Sequence, residues 1–97
     1  MAELEMCDGH NYNGNTKTIG GSVSRLSDVK HILGNWNDEL KSFRIMSGSW
    51  VFCENDNYEG LNSRVFTKND TPNNGYINCP DAGFPDNWVS SIKLVGD

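Results

Sequence analysis

A motif of seven residues occurs twice in this chain, and its first copy is altered at one position. The second copy reads Asp86-Asn87-Trp88-Val89-Ser90-Ser91-Ile92, and the first reads Asn37-Asp38-Glu39-Leu40-Lys41-Ser42-Phe43. Each has two adjacent Asn or Asp residues, two variable residues, two hydroxyl positions and a large apolar residue. Lys41 stands where the first hydroxyl would be. Because a repeated motif indicates two copies of one structural unit, this duplication constrains the fold more than any other feature.

A second segment repeats at nearly the same spacing. Residues 7–14 read CDGHNYNG and residues 53–60 read CENDNYEG, a spacing of 46 residues. The Asn/Asp motif recurs after 49 residues, from Asn37 to Asp86. The small difference between the two spacings indicates two copies of one unit, with a short insertion in the second.

Each unit has the pattern of short strands joined by turns. A strand ends at Cys7 or Cys53, and a polar turn closed by an aromatic residue and a glycine follows it. We expect a positive φ at those glycines, Gly14 and Gly60. A second strand is predicted at residues 16–19 and 61–66, and a last strand with alternating apolar and polar residues at 43–46 and 92–95. Four strands in each unit predict an all-β fold of two sheets packed face to face.

One short helix is predicted between these strands. Ser27 is a suitable N-terminal cap for residues 28–33, and Gly34 is a suitable stop. The equivalent stretch of the second unit, residues 69–81, carries two prolines and several Asn. We predict a loop there, with at most one short strand around Tyr76 and Ile77.

Charge and motif content exclude several classes of function. A formal net charge of −5 argues against a nucleic-acid partner. No transmembrane run or signal peptide is visible, and the three cysteines have no Cys-x-x-Cys spacing, so we expect a cytoplasmic protein with reduced thiols. No catalytic constellation is recognisable, which predicts a non-enzymatic protein. His10 and His31 are isolated in sequence and are predicted to be surface or turn residues.

The two repeated motifs, taken together, resemble those of the βγ-crystallin domain. In each half an aromatic-x-Gly turn precedes an Asn/Asp-Asn/Asp-x-x-Ser/Thr-Ser motif, and the resemblance covers the whole chain. It implies one domain over residues 1–97, a two-sheet Greek-key β-sandwich. Its first Greek key would span about residues 1–47 and its second about residues 48–97. It is similar to single-domain, calcium-binding members of the family, for which we expect a monomer.

The resemblance also implies a calcium site on each key, with ligands from both keys. At the second-key site the matching positions are Glu54 and Trp88 through their backbone carbonyls, Ser90 through its hydroxyl, and Asp38 through a carboxylate that crosses from the first key. Calcium is a hard cation that takes six to eight oxygen ligands, and all four residues can supply one.

The first-key site departs from the family pattern. Its matching positions are the carbonyls of Asp8 and Glu39, the side chain of Lys41 in place of a hydroxyl, and Asn87 crossing from the second key. Lys41 supplies a positive charge instead of an oxygen ligand, and Asn87 is neutral. We therefore expect one calcium ion at the second-key site and a weaker or empty first-key site.

Two hypotheses of different classes follow. In the first, calcium bridges the two keys and stabilises the fold. In the second, the chain is a structural or interaction module for a protein, glycan or membrane partner, and its calcium site is vestigial. The change of melting temperature between calcium and a chelator distinguishes them.

Overall fold

The structure, a computed structural model, describes residues 2–71 and 75–97. Within these residues, regular secondary structure consists of short strands and 3₁₀ turns. The strands are β1 (Glu3–Cys7), β2 (Thr16–Ile19), β3 (Lys30–His31), β4 (Gly34–Asn35), β5 (Ser42–Ser47), β6 (Ser49–Cys53), β7 (Ile77–Asn78) and β8 (Ser91–Gly96). The 3₁₀ turns span His10–Tyr12, Leu26–Asp28, Asp56–Tyr58, Lys68–Asp70 and Cys79–Ala82. The predicted all-β, two-sheet Greek-key class is confirmed.

The first sheet has the strand order β2-β1-β5-β7, and its pairs are antiparallel. The predicted strands ending at Cys7, at residues 16–19, at 43–46 and near Ile77 are all present. In β1 and β5 the alternate residues point inward, so that Leu4, Met6, Phe43 and Ile45 are buried.

The second sheet is built on the antiparallel pair β6 and β8, with single-residue bridges on either side. Val23 bridges to Ile92, and Phe66 bridges to Trp50. A regular strand at residues 61–66 was predicted, but the ladder is interrupted because the Ser63 hydroxyl accepts the Phe52 amide hydrogen bond over 2.9 Å. The prediction of four regular strands in this sheet is wrong, because β6 and β8 are regular strands and the neighbouring segments pair only through isolated bridges.

The two halves exchange segments between the sheets. Val23 of the first half pairs with β8, whereas β7 of the second half pairs with β5. Neither half can therefore complete its sheet alone. The core between the sheets holds a cluster of four phenylalanines with ring centroids 4.4 to 6.5 Å apart, Phe43, Phe52, Phe66 and Phe84. Such aromatic contacts add to the free energy gained by burial.

The backbone repeats its unusual dihedral angles in both halves. Asn11 and Tyr12 have φ of 57° and 58°, and their counterparts Asn57 and Tyr58 have φ of 59° and 63°. The expected positive φ occurs at Gly60, at 80°. It does not occur at Gly14, which is needed for close approach instead: a Cβ there would lie 2.3 Å from Asp8 Oδ1.

The helix predicted at residues 28–33 is wrong. A 3₁₀ turn occupies Leu26–Asp28, and β3 and β4 then form a small antiparallel hairpin. The His31 side chain in this hairpin is buried against Trp36 and bonded to Asp8. Gly34, with φ of 133°, serves the hairpin turn rather than a helix end. None of the described helices is long and apolar enough to cross a membrane.

Candidate functional site

The same backbone frame occurs at both predicted sites. In the second key, the Ser90 amide donates to the Cys53 carbonyl over 3.0 Å, and the Asp38 amide donates to the Val89 carbonyl over 3.2 Å. The first key repeats both bonds, from Lys41 to Cys7 over 3.0 Å and from Asn87 to Leu40 over 3.1 Å. The backbone of the second Asn/Asp of each motif is thus bonded to the other half of the chain.

Asp38 and Asn87 have left-handed backbones, with φ of 58° and 60°. Asn and Asp tolerate this region better than other residues with a Cβ, because their short polar side chains can bond locally. The requirement explains why the motif carries one of these two residue types at its second position.

The second hydroxyl of each motif holds the preceding turn in place. Ser91 donates to the Asn55 carbonyl over 2.6 Å and accepts from the Tyr58 amide over 3.0 Å. Ser42 makes the equivalent bonds to the Gly9 carbonyl and the Tyr12 amide, over 2.6 and 3.2 Å. Ser91 and Ser42 therefore bond within the fold.

The first hydroxyl position of the second motif faces a polar cavity. The Ser90 hydroxyl donates to Asp38 Oδ1 over 3.3 Å, so the structure brings these two predicted ligands together from opposite keys. The open cavity beside them has a volume of about 480 Å³. Its lining is polar and consists of Asn37, Asn55, Asp56, Asn57, Glu59 and Ser90.

Asn37, which lines this cavity, also has a buried side-chain oxygen without a partner in the described part of the chain. Its Oδ1 is buried and finds no hydrogen-bond partner among residues 2–71 and 75–97. Its amide nitrogen donates to Asp38 Oδ2 over 3.3 Å. A buried acceptor without a partner is costly. The oxygens that meet beside the cavity, those of Ser90 and Asp38, are suited to a hard cation such as calcium.

The side chains of Glu54 and Trp88 both make contacts of their own. The Glu54 side chain accepts from the Leu61 amide over 3.3 Å and therefore belongs to its own turn. The Trp88 ring stacks on Phe84, with centroids 5.2 Å apart. Both assignments specified backbone carbonyls, and these ligand roles stay predictions.

Arg25 approaches the cavity from the exchanged segment of the first half. Its Nε lies 3.7 Å from Asp56 Oδ2 and 4.0 Å from Asp28 Oδ2. Asp56 also lines the cavity. A guanidinium beside this carboxylate partly offsets the negative potential that would attract a cation.

The first-key region has different side-chain contacts. The Asp8 carboxylate accepts hydrogen bonds from His31 Nε2 over 2.7 Å and from the Asn15 amide over 2.8 Å. Burial by itself would raise the pKa of Asp8, but these hydrogen bonds and the nearby imidazole leave it below its ordinary value. His31 is buried, so the prediction that it is a surface or turn residue is wrong.

The charges of Lys41 and Asp86 both affect the pKa of the buried Cys79 thiol in this region. Burial strongly raises the pKa of the Cys79 thiol, the Asp86 carboxylate raises it further, and Lys41 opposes this effect. Asp86 Oδ2 also accepts a hydrogen bond from His10 Nε2 over 2.5 Å. The Glu39 amide donates to the Trp36 carbonyl over 3.2 Å, which fixes the turn that holds its own predicted carbonyl ligand.

No group of three His, Cys, Asp or Glu side chains suited to a metal is found in the described part of the chain. The predicted second-key site has a single carboxylate, and its other predicted ligands are the Ser90 hydroxyl and backbone carbonyls. A site of this composition does not contain three such side chains.

Three residues around these sites were missed from sequence. They are Asn37, Asp56 and His10. The spacing of 46 residues pairs His10 with Asp56, and the spacing of 49 pairs Asn37 with Asp86. These correspondences were readable from the repeat, but the contacts between halves were not.

The chain is similar to known proteins of one family. The family model for beta/gamma crystallin matches residues 8–95. A βγ-crystallin from an archaeon has a TM-score of 0.78 at 26% identity, covering 97% of this chain and 98% of its own. A βγ-crystallin from Ciona intestinalis has a TM-score of 0.77 at 22% identity, covering 95% and 98%. A βγ-crystallin domain from Clostridium beijerinckii has a TM-score of 0.65 at 22% identity, covering 94% of both. No curated protein sequence matches.

Proposed function

This chain belongs to the beta/gamma-crystallin family, and we propose that it is a non-enzymatic domain that binds one calcium ion at the second-key cavity. The ion would join the two Greek keys and stabilise the fold. The family is generally structural and non-enzymatic.

One observation carries the proposal. Ser90 and Asp38 come from different halves of the chain and lie 3.3 Å apart beside an open polar cavity. Asn37 adds a buried oxygen without a hydrogen-bond partner among the described residues. A carboxylate and a hydroxyl that meet beside one polar cavity match the hard-cation chemistry of calcium.

The proposed ligands are Asp38 and Ser90 through their side chains and Glu54 and Trp88 through their carbonyls, with water completing the coordination. Calcium bound there would neutralise charge at a cavity lined by Asp56 and Glu59. Because it would bind only the folded chain, it would stabilise that state by mass action, by about 2.7 kcal/mol at a concentration one hundred times the dissociation constant.

The first-key site is proposed to be much weaker. Lys41 occupies its hydroxyl position and Asn87 brings no charge. The backbone frame is the same as in the second key, so the difference lies in these side chains.

Calorimetric titration of the purified chain with calcium tests the proposal. We expect one ion per chain and a higher melting temperature in calcium than in chelator. The matched variant Asp81→Asn removes an exposed carboxylate outside the cavity and should leave binding unchanged, whereas Asp38→Asn should weaken it. No binding and no thermal shift at millimolar calcium would overturn the proposal and favour the structural or interaction module.

A further inference from the structure

We infer that the hydrogen bond between His10 and Asp86 takes the place of a bound cation at the first key, so that a side-chain contact links the two keys where an ion would otherwise do so. The contrast with a calcium-bound second key rests on the proposed function. The bridging role of the pair does not.

The internal repeat identifies the location of this pair. His10 begins the 3₁₀ turn His10–Tyr12, and Asp56 begins the equivalent turn Asp56–Tyr58. Asp86 opens the second Asn/Asp motif, as Asn37 opens the first. In the second key, Asp56 and Asn37 both line the open cavity. Their counterparts in the first key are bonded directly to each other.

The contact joins distant parts of the chain. His10 Nε2 lies 2.5 Å from Asp86 Oδ2, and the two residues are 76 positions apart. They belong to different predicted keys. The side chains are 49% and 27% exposed, respectively. A neighbouring bond, from the Asn11 amide to Asn78 Oδ1 over 2.7 Å, ties the same turn to β7.

Within the described part of the chain, the other carboxylate oxygen of Asp86 is unsatisfied in the same way as the amide oxygen of Asn37. Asp86 Oδ1 is buried and has no hydrogen-bond partner among the described residues, as is true of Asn37 Oδ1. Both keys thus present an unsatisfied oxygen at the same place. In the first key the carboxylate's other oxygen already has a nitrogen donor, and Lys41 adds a positive charge that acts on the same interior thiol as Asp86.

This arrangement disfavours calcium for a geometric and a chemical reason. The imidazole contacts one oxygen of the carboxylate that opens the crossing motif, and calcium prefers oxygen to nitrogen ligands. Three positions also differ in charge or in ligand type between the keys. His10 corresponds to Asp56, Lys41 to Ser90, and Asn87 to Asp38. The first key therefore has the frame of a calcium site and a side-chain bridge within it.

A double-mutant cycle in chelator tests the bridge without any dependence on calcium. The variants are His10→Ala, Asp86→Ala and the pair, with Asn13→Ala as a control on the same exposed turn. We expect His10→Ala to lower the melting temperature by about 4 to 8 °C, which is what a loss near 1 kcal/mol gives in a domain of this size. The double variant should lose clearly less than the sum of the two single losses. Additive losses, or a loss no larger than that of Asn13→Ala, would overturn the inference even if wild type binds calcium as proposed.

A second measurement tests whether the pair excludes a cation. Lys41→Ser is compared with His10→Asp/Lys41→Ser in calcium titrations, because the latter copies the second-key residues at both positions. We expect the double variant to bind a second ion roughly tenfold or more tightly than Lys41→Ser does. Equal affinity at the first key in the two variants would show that His10 does not stand in for the ion. If wild type and all variants bind no calcium, the proposed function fails and the claim of substitution fails with it, while the cycle in chelator still decides the bridge.

Discussion

The Ser90 hydroxyl donates to Asp38 Oδ1 over 3.3 Å, although the two residues lie 52 positions apart. The Asp38 amide is held at the Val89 carbonyl and the Ser90 amide at the Cys53 carbonyl. Backbone bonds from both halves therefore fix this side-chain pair, and its geometry exists only when the two halves are packed together. Any ion held by the pair would report on the docking of one half against the other.

Asp38→Asn should weaken calcium binding, by about tenfold or more. Asn tolerates the left-handed backbone at this position and keeps the side chain's shape, so the variant removes charge with little change of fold. Isothermal titration measures the dissociation constant. The reciprocal variant Asn87→Asp, at the same place in the other half, should strengthen first-key binding. Unchanged binding in Asp38→Asn would contradict the assignment of the crossing ligand.

Lys41→Ser should strengthen or create binding at the first key. Lys41 occupies the backbone position equivalent to Ser90, as the matching amide bonds to Cys7 and Cys53 show. The substitution removes a positive charge and supplies a hydroxyl oxygen. The expected result is a second calcium ion in the titration, still weaker than the first while His10 and Asn87 remain. Two ions of similar affinity in wild type would contradict this role of Lys41.

Arg25→Gln should tighten calcium binding at the second key by a few-fold. The Arg25 guanidinium lies 3.7 Å from the Asp56 carboxylate that lines the cavity, and both side chains are about half exposed. Solvent screening keeps the effect modest, and added salt should reduce the difference between variant and wild type. Arg64→Gln is the control, because Arg64 pairs with Asp70 away from the cavity. Equal gains in both variants would indicate a general effect of net charge.

Much of the fold was readable from the repeat and the alternation of residues. Strands were predicted to end at Cys7 and to lie at 16–19, 43–46 and 92–95, and the structure has a strand at each place. The strands at 43–46 and 92–95 were readable because alternating apolar and polar residues leave a direct pattern in the sequence. The hairpin of β3 and β4 was not predicted. Local sequence favoured a capped helix there, but the buried contacts of His31 with Asp8 and Trp36 determine the structure. Such contacts depend on residues far away in the chain.

The candidate site was predicted only in part, because the repeat shows which residues are equivalent but not which residues meet. The repeat located Asp38 and Ser90, and the structure brings them together. The repeat could not reveal that His10 and Asp86 meet, because that contact depends on how the two halves of the chain pack together. The unsatisfied oxygen of Asn37 was also invisible, since burial of one atom depends on the packed structure.

Stability should fall in acid as Asp8 and Asp70 become protonated. Hydrogen bonds hold the pKa of both carboxyls below the ordinary value of 3.8, despite the opposing effect of burial. A carboxyl whose folded pKa is depressed adds stability above its unfolded pKa, and that contribution is lost as the pH falls through the folded pKa. Urea unfolding of wild type and Asp8→Asn should therefore differ near neutral pH and converge at a pH well below 3.8. A constant difference across this range would contradict the prediction.

Ser91→Ala should destabilise the fold without acting through calcium, by about 1 to 3 kcal/mol. Ser91 is fully buried, and its hydroxyl bonds to both the Asn55 carbonyl and the Tyr58 amide, so its loss leaves two backbone groups unpaired. Ser42→Ala should have a similar effect, because Ser42 makes the same two bonds in the first half. Ser90→Ala, measured in chelator, should cost much less since its one side-chain contact is exposed. Chemical denaturation in chelator gives all three free energies of unfolding. In our interpretation the Ser90 hydroxyl faces the cavity and the Ser91 hydroxyl holds the turn. Equal losses of stability in Ser90→Ala and Ser91→Ala would contradict that interpretation.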